Sequence, residues 1–232
     1  MARPLVADID LDALRHNYRL ARELAPQSQA LAVIKADAYG HGAVACARAL
    51  ESLPADQCPP AFAVACLEEA ELLRQGGVVA PIVLLEGIFE AAELARVEAL
   101  DLWVAVHSEW QVNALLAYRP AKPIPVWLKV DSGMHRLGFT PEAATEAWEC
   151  LAQRPDSVTA VQLMSHFATA DAVDAAYFRQ QLACMRELAQ RLGAPLCLAN
   201  SPATLPGPSR MDLGAAGGGC STAAIPWKLP VM

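Results

Sequence analysis

At 232 residues and 54% hydrophobic content, the chain can bury the core of one barrel-sized domain. Its net charge of −7 argues against a general nucleic-acid or anionic-membrane surface, since neither phosphate nor acidic lipid would be attracted to it. No apolar run approaches the roughly 18 residues that span a bilayer, the N-terminus has no signal-peptide apolar stretch, and the seven cysteines are scattered without a CxxC pair. A cytoplasmic protein with reduced thiols and no zinc is expected.

In chain order, Leu11, Leu14, Tyr18 and Leu20 or Ala21 stand at helical spacing after Asp10, a natural N-cap. Apolar strand segments are predicted at 30–34, 61–65, 81–85, 102–106, 125–130, 158–163 and 195–199. Helical patterns lie between them at 43–50, 67–75, 91–100, 109–116, 141–150 and 173–192. Near-continuous apolar strands alternating with amphipathic helices imply a parallel sheet covered by helices. Seven strands on one repeat favour an α/β fold of the (β/α)8 TIM-barrel type. The doubly wound alternative lacks a G-x-G-x-x-G fingerprint. Lys35, Glu86, His107, Lys129 with Asp131, His166 and Asn200 with Ser201 then fall at the carboxyl ends of strands, where barrel enzymes place their chemistry.

Lys35 closes the run Leu31-Ala32-Val33-Ile34 and is followed by Ala36-Asp37-Ala38-Tyr39-Gly40-His41-Gly42. An amine held in partly apolar surroundings keeps a reactive neutral fraction that can form a Schiff base with an aldehyde. A strand-end lysine that simply reaches solvent is the plain alternative. The segment as a whole, however, resembles the pyridoxal-phosphate lysine segment of alanine racemases. Leu128-Lys129-Val130-Asp131-Ser132-Gly133-Met134-His135-Arg136-Leu137-Gly138 is similar to a second signature of that family. Met164-Ser165-His166-Phe167 and Ala199-Asn200-Ser201-Pro202-Ala203 follow in the family's order. The resemblance runs from about Ala7 to Leu205.

The resemblance implies racemisation of L-alanine and D-alanine with pyridoxal 5'-phosphate, serving D-alanine metabolism in a bacterial cell. Lys35 would carry the cofactor and act as acid and base on one face of the substrate α-carbon. Tyr39, Asn200 and Ser201 would hold the phosphate, and His166 would stack on the pyridine ring. Arg136 would take the substrate carboxylate as a planar fork. Lys129 would be carbamylated and orient Arg136; an ordinary Lys129–Asp131 ion pair is the other reading. His41 has no clear role beyond orienting its loop. The family's second base is a tyrosine from a partner's C-terminal domain, so a homodimer is implied for the full-length enzyme, with no metal, nucleic acid or membrane. A pyridoxal-phosphate carrier without racemase activity is the alternative, although such carriers lack a block like Lys129 to Arg136. An inactive fragment with open sheet edges is a third reading.

Residues 1–205 are read as the cofactor-binding barrel domain and 206–232 as a divergent, disordered tail, with the C-terminal β domain absent. The tail shows no strand pattern, so the barrel is expected to be incomplete at its eighth strand. Arg210 does not match the context of the family's arginine that meets the pyridine nitrogen. The tail is also expected to be a frameshifted reading. Leu213-Gly214-Ala215-Ala216-Gly217 becomes Trp-Val-Arg-Pro-Gly in one shifted frame, and residues 219–228 become Val-Leu-Tyr-Gly-Ser-Asn-Pro-Leu-Glu in the other.

Overall fold

Asp10 starts the fold as predicted: its Oδ1 accepts the amides of Asp12 and Ala13 at 2.9 and 3.0 Å, capping helix α1 (Leu11–Leu24). The computed structural model describes residues 6–171, 176–204 and 220–221. Helix α1 buries Leu14, Tyr18 and Ala21, and the Tyr18 hydroxyl donates to the Ala30 carbonyl at 2.9 Å, tying the helix to the first strand. That strand is interrupted at Leu31, giving β1 (Gln29–Ala30) and β2 (Ala32–Val33). The turn α2 (Lys35–Gly40) and helix α3 (Ala43–Glu51) follow.

The repeat then continues through β3 (Phe62–Val64), α4 (Leu67–Gln75), β4 (Ile82–Leu84) and a 3-10 turn, Ala91–Glu93, that leads into α5 (Leu94–Ala99). Next come β5 (Leu102–Val106), α6 (Glu109–Ala117), β6 (Ile124–Lys129), α7 (Pro141–Ala152) and β7 (Val158–Met164). The described chain ends with α8 (Ala176–Leu192), β8 (Leu196–Cys197), α9 (Ser201–Thr204) and β9 (Cys220–Ser221). No described helix is long and apolar enough to cross a membrane.

Every strand pairing is parallel, in the order β1-β9-β8-β7-β6-β5-β4-β3-β2. Because only Leu31 separates β1 from β2, this order returns to its start, and the sheet curls into a (β/α) barrel. Among the described residues its eighth place is incomplete and is held by the two residues of β9, with Ala30 opposite Ser221 and Cys197 opposite Cys220. This two-residue strand lies in the tail, where the sequence carries no strand pattern. A parallel ladder needs only main-chain donors and acceptors, so two residues can pair without alternating side chains. The remainder of the tail, Arg210 included, lies outside the described residues, as does the start of the helix predicted at 173–192.

Period-two alternation divides the core into two layers. Val64, Ile82, Leu84, Val104, Val106, Val126 and Leu128 face the helices. Val33, Ala61, Ala63, Val83, Ala105, Trp127, Met164 and Cys197 fill the barrel interior. Trp127 supplies most of that bulk, its ring 6.2 Å from Trp103 and surrounded by alanines. At the amino-terminal face arginines bind carbonyls: Arg74 donates to those of Leu100, Val78 and Ala80. Arg154 there donates to Leu116 O at 2.6 Å and pairs with Asp156. The opposite face is arranged differently.

Candidate active site

Above the filled interior, at the carboxyl ends of the strands, lies a cavity of about 270 Å³. Its walls carry Lys35, Tyr39, Glu86, Lys129, Arg136, His166 and Asn200, over an apolar floor that includes Val33, Leu85 and Met164. Of the seven residues to which the resemblance gives cofactor or substrate roles, six (Lys35, Tyr39, Lys129, Arg136, His166 and Asn200) therefore meet in one place. Ser201 is not among the lining residues; it opens the short α9 turn next to Asn200.

Lys35 follows directly on the last ladder bond of its strand, Ile34 N to Ala63 O at 2.9 Å. Where the glycines suggested a turn at Gly40, the chain turns earlier. Ala36, Asp37, Ala38 and Tyr39 all adopt left-handed φ values between 50 and 56°. Four such residues cost about 4–8 kcal/mol at the usual penalty per L-residue. Several bonds offset that cost. The Ala38 amide donates to Ile34 O, the Gly42 amide to Asp37 O, and the Ala43 amide to Asp37 Oδ1 at 2.7 Å. His41 Nδ1 lies 2.8 Å from the Ala38 carbonyl, giving this histidine the loop-orienting contact expected of it. The outcome is that both Lys35 and Tyr39 line the cavity. Burial raises the Tyr39 phenol above its ordinary range, so it stays a hydrogen-bond donor.

Lys129 ends β6 and is 8% exposed. Its amine is pushed below the usual lysine range by burial, then by the Arg136 charge, with Lys35 adding to this and Glu86 opposing it. The suggested Lys129–Asp131 pair does not form. Asp131 turns into its own loop instead: Oδ1 accepts the amides of Gly133 and His135, each at 2.9 Å, and Oδ2 lies 3.2 Å from His135 Nδ1. Short-range main-chain donors within the loop outcompete a lysine two residues back on the strand.

Arg136 is brought over the cavity because this loop doubles back onto β6. Asp131 N donates to Phe139 O at 2.8 Å and Phe139 N to Lys129 O at 2.9 Å. Gly138 makes that approach feasible: at φ +129°, a Cβ there would sit 2.6 Å from the Asp131 amide nitrogen. A network not legible in the sequence supports the loop. Ser132 Oγ lies 2.8 Å from Ser165 Oγ, which donates to Val130 O, and the buried Gln181 of α8 donates to Ser132 Oγ at 3.2 Å.

His166, two residues beyond β7, is held down to about 4 by burial first, then by Arg136, Lys129 and Lys35. By surface area the residue remains exposed, because the cavity it faces is open to water. That water screens the three cations in part, and the lowered value leaves the ring neutral at pH 7. Glu86 is the one carboxylate among the described lining residues. Its carbonyl accepts from Gln111 Nε2 at 3.1 Å and lies 3.1 Å from His107 Nε2, while Gly87 beside it packs onto β5. Its position after the strand predicted at 81–85 puts Glu86 on this face, with no role assigned to it by the family resemblance.

Three cationic side chains against one carboxylate leave the cavity short of negative charge. Lys129, Lys35 and Arg136 form no ion pair with any described residue within 4.0 Å. A phenol donor, a neutral imidazole and the Asn200 amide complete the donor set. That set suits an anionic aldehyde cofactor and a substrate carboxylate, and no described group of acidic, cysteine or histidine residues could hold a metal.

The family described as "Alanine racemase, N-terminal domain" matches residues 9–220. The chain belongs to that family. The match runs past Leu205, where the motif resemblance stops, and ends at the first residue of β9. Alanine racemase of Chromohalobacter salexigens is 67% identical over 208 residues, covering 90% of this chain and 56% of that protein. A catabolic alanine racemase of Pseudomonas putida is 54% identical over 203 residues, covering 88% of this chain and 55% of its own length. Among solved structures, the biosynthetic alanine racemase from Pseudomonas aeruginosa superposes with a TM-score of 0.84 at 43% identity, covering 97% of this chain and 59% of that one. The Clostridium difficile 630 alanine racemase in complex with cycloserine gives 0.80 at 29% identity, covering 94% of this chain and 59% of that one. The chain thus spans about 56% of the length of the first relatives it matches.

Proposed function

We propose that this alanine racemase N-terminal domain binds pyridoxal 5'-phosphate on Lys35 and forms the cofactor-bearing part of an enzyme that interconverts L- and D-alanine. The observation that carries this reading is the convergence of Lys35, Tyr39, Lys129, Arg136 and His166 on one cavity short of negative charge. When bound, the cofactor supplies the electron withdrawal that makes the α-proton of an amino acid removable. Lys35 Nζ would hold the cofactor aldehyde and, once the substrate amine has displaced it, the freed Lys35 amine would take or return that proton on its own face. Tyr39 and Asn200, with Ser201 beside them, hold the phosphate. His166, kept neutral, would pack against the cofactor ring without adding a further positive charge. Arg136 grips the substrate carboxylate through paired N–H donors. Lys129, buried beside Arg136 without a carboxylate partner, is suited to carbamylation: its neutral amine adds carbon dioxide and releases a proton. The resulting anion would then orient the guanidinium.

A homodimer, a cytoplasmic location and D-alanine supply belong to the same proposal, as does a second base from the partner subunit. The carrier reading is weaker because Arg136 and Lys129, which such carriers lack, both face the cavity. Titration of the chain with pyridoxal 5'-phosphate tests the proposal. A visible band that borohydride removes is expected, with the reduced adduct mapping to Lys35, and Lys35→Ala should abolish it. A wild-type chain without that band refutes the reading. A D-amino-acid-oxidase-coupled assay then separates racemase from carrier, and turnover by this chain alone would contradict the assignment of the second base to a partner.

A further inference from the structure

Glu69 sits half-buried in the first turn of α4, remote in sequence from every motif above. It forms no ion pair with a described cation. Its two carboxylate oxygens accept main-chain amides at the ends of two neighbouring strands: Oε1 takes Ala36 N at 2.7 Å and Oε2 takes Ala65 N at 2.7 Å. Both are short, charge-assisted bonds. The Ala36 amide immediately follows Lys35, beyond the last bond of the β2–β3 ladder, and has no strand partner there. Ala36 is also the first of the four left-handed residues that carry Tyr39 round to the cavity.

We propose that Glu69 is a positioning residue for Lys35 and Tyr39. Its carboxylate fastens the entry to the left-handed turn onto the end of β3, so that the amine and the phenol are presented to the cavity together. The inference rests on the cofactor reading above and adds to it a group that never touches the ligand. A comparable clamp elsewhere in the molecule offers a control: Glu51 Oε1 accepts the amides of Val79 and Ala80 at 2.9 and 2.8 Å, ahead of β4 and away from the cavity.

The test compares the full chain with its Glu69→Ala, Glu69→Gln and Glu51→Ala variants in two measurements. One is hydrogen–deuterium exchange of peptides covering residues 35–42 without cofactor; the other is pyridoxal 5'-phosphate titration followed by the visible band. Glu69→Ala should accelerate exchange across 35–42 and weaken the apparent affinity roughly ten- to hundred-fold, the worth of a hydrogen bond to a charged group. Glu69→Gln should fall between, because its amide oxygen can still accept one of the two N–H groups. Glu51→Ala should lower the melting temperature while leaving both measurements unchanged.

Unchanged exchange at 35–42 in the Glu69 variants overturns the proposal, as does an equal loss of affinity in Glu51→Ala. If Glu69→Ala does not fold, Glu69→Gln decides by the same criteria. Absence of the band in the wild-type chain would fail the cofactor reading, while the exchange comparison would still decide whether Glu69 holds the turn.

Discussion

Lys129 offers the sharpest perturbation, because its contribution to stability should change sign with dissolved carbon dioxide. As an ammonium it is a nearly buried cation beside Arg136 and Lys35, and the Glu86 charge only partly compensates. Like charges at contact distance cost about 1 kcal/mol in water and about 4 kcal/mol at an effective dielectric of 20. Lys129→Met, which keeps the chain length and removes the charge, should therefore stabilise the bicarbonate-free protein by about 1–4 kcal/mol. For a domain of this size that is roughly 2–16 °C in melting temperature. The sign with pH follows from the lowered amine: the penalty is present while the folded lysine is protonated. It fades as pH rises through the depressed folded value towards 10.5, so the advantage of the variant should shrink in alkaline buffer. Added bicarbonate should instead stabilise the wild type, by turning repulsion from Arg136 into attraction, and leave Lys129→Met unaffected. Thermal unfolding at several pH values, with and without bicarbonate, measures this, and carbon-13 NMR with labelled bicarbonate reports the carbamate directly. A wild type indifferent to bicarbonate, together with a less stable Lys129→Met, would refute the reasoning.

Two further predictions concern neighbouring groups. Bound phosphate among Lys35, Lys129 and Arg136 should raise His166 from about 4 towards the ordinary histidine range, because it offsets the cations that, after burial, hold the ring neutral; NMR titration of the imidazole with and without inorganic phosphate would show this, and an unmoved midpoint counts against an anion at that place. Without ligand, the same depression means the fold loses stability as pH falls from 6.5 towards about 4. Gly87→Ala should cost about 3 kcal/mol, roughly 6–12 °C in melting temperature, since φ is +70° and the new methyl would meet Ala105 O at 2.1 Å. A change below about 2 °C would mean the turn beside Glu86 is free to move.

Elements whose signal is local were legible. The apolar run Leu102–Val106 and the helix Leu67–Gln75 fall where periodicity put them, and Asp10 caps where its side chain allows. The predicted strand at 195–199 shrinks to Leu196–Cys197, the part that pairs with a neighbour among the described residues. Ladder length depends on the partner strand, which one segment does not encode. The convergence of Lys35, Arg136 and His166 was legible through barrel geometry and family resemblance together. The left-handed turn was not: Ala36 and Ala38 carry no mark of positive φ, and only Gly40 and Gly42 announce a turn. Gln181 and Glu69 were invisible for a related reason. Each acts on main chain or hydroxyls 33 or more residues away (Glu69 on Ala36, Gln181 on Ser132), through groups every residue possesses or any serine could offer.

The unequal length of the ladders has a mechanical consequence. Among the described residues the ladders joining β5, β6 and β7 are the longer ones, and they lead to Lys129, Arg136 and His166; β8 meets β9 through one residue pair and β9 meets β1 through two, and Asn200 stands there. Thermal opening should begin along that thin seam and run outward like a zip. A molecule gripped by both sides would act as a rivet across the gap, so occupancy should register first as slowed exchange in β1 and β8.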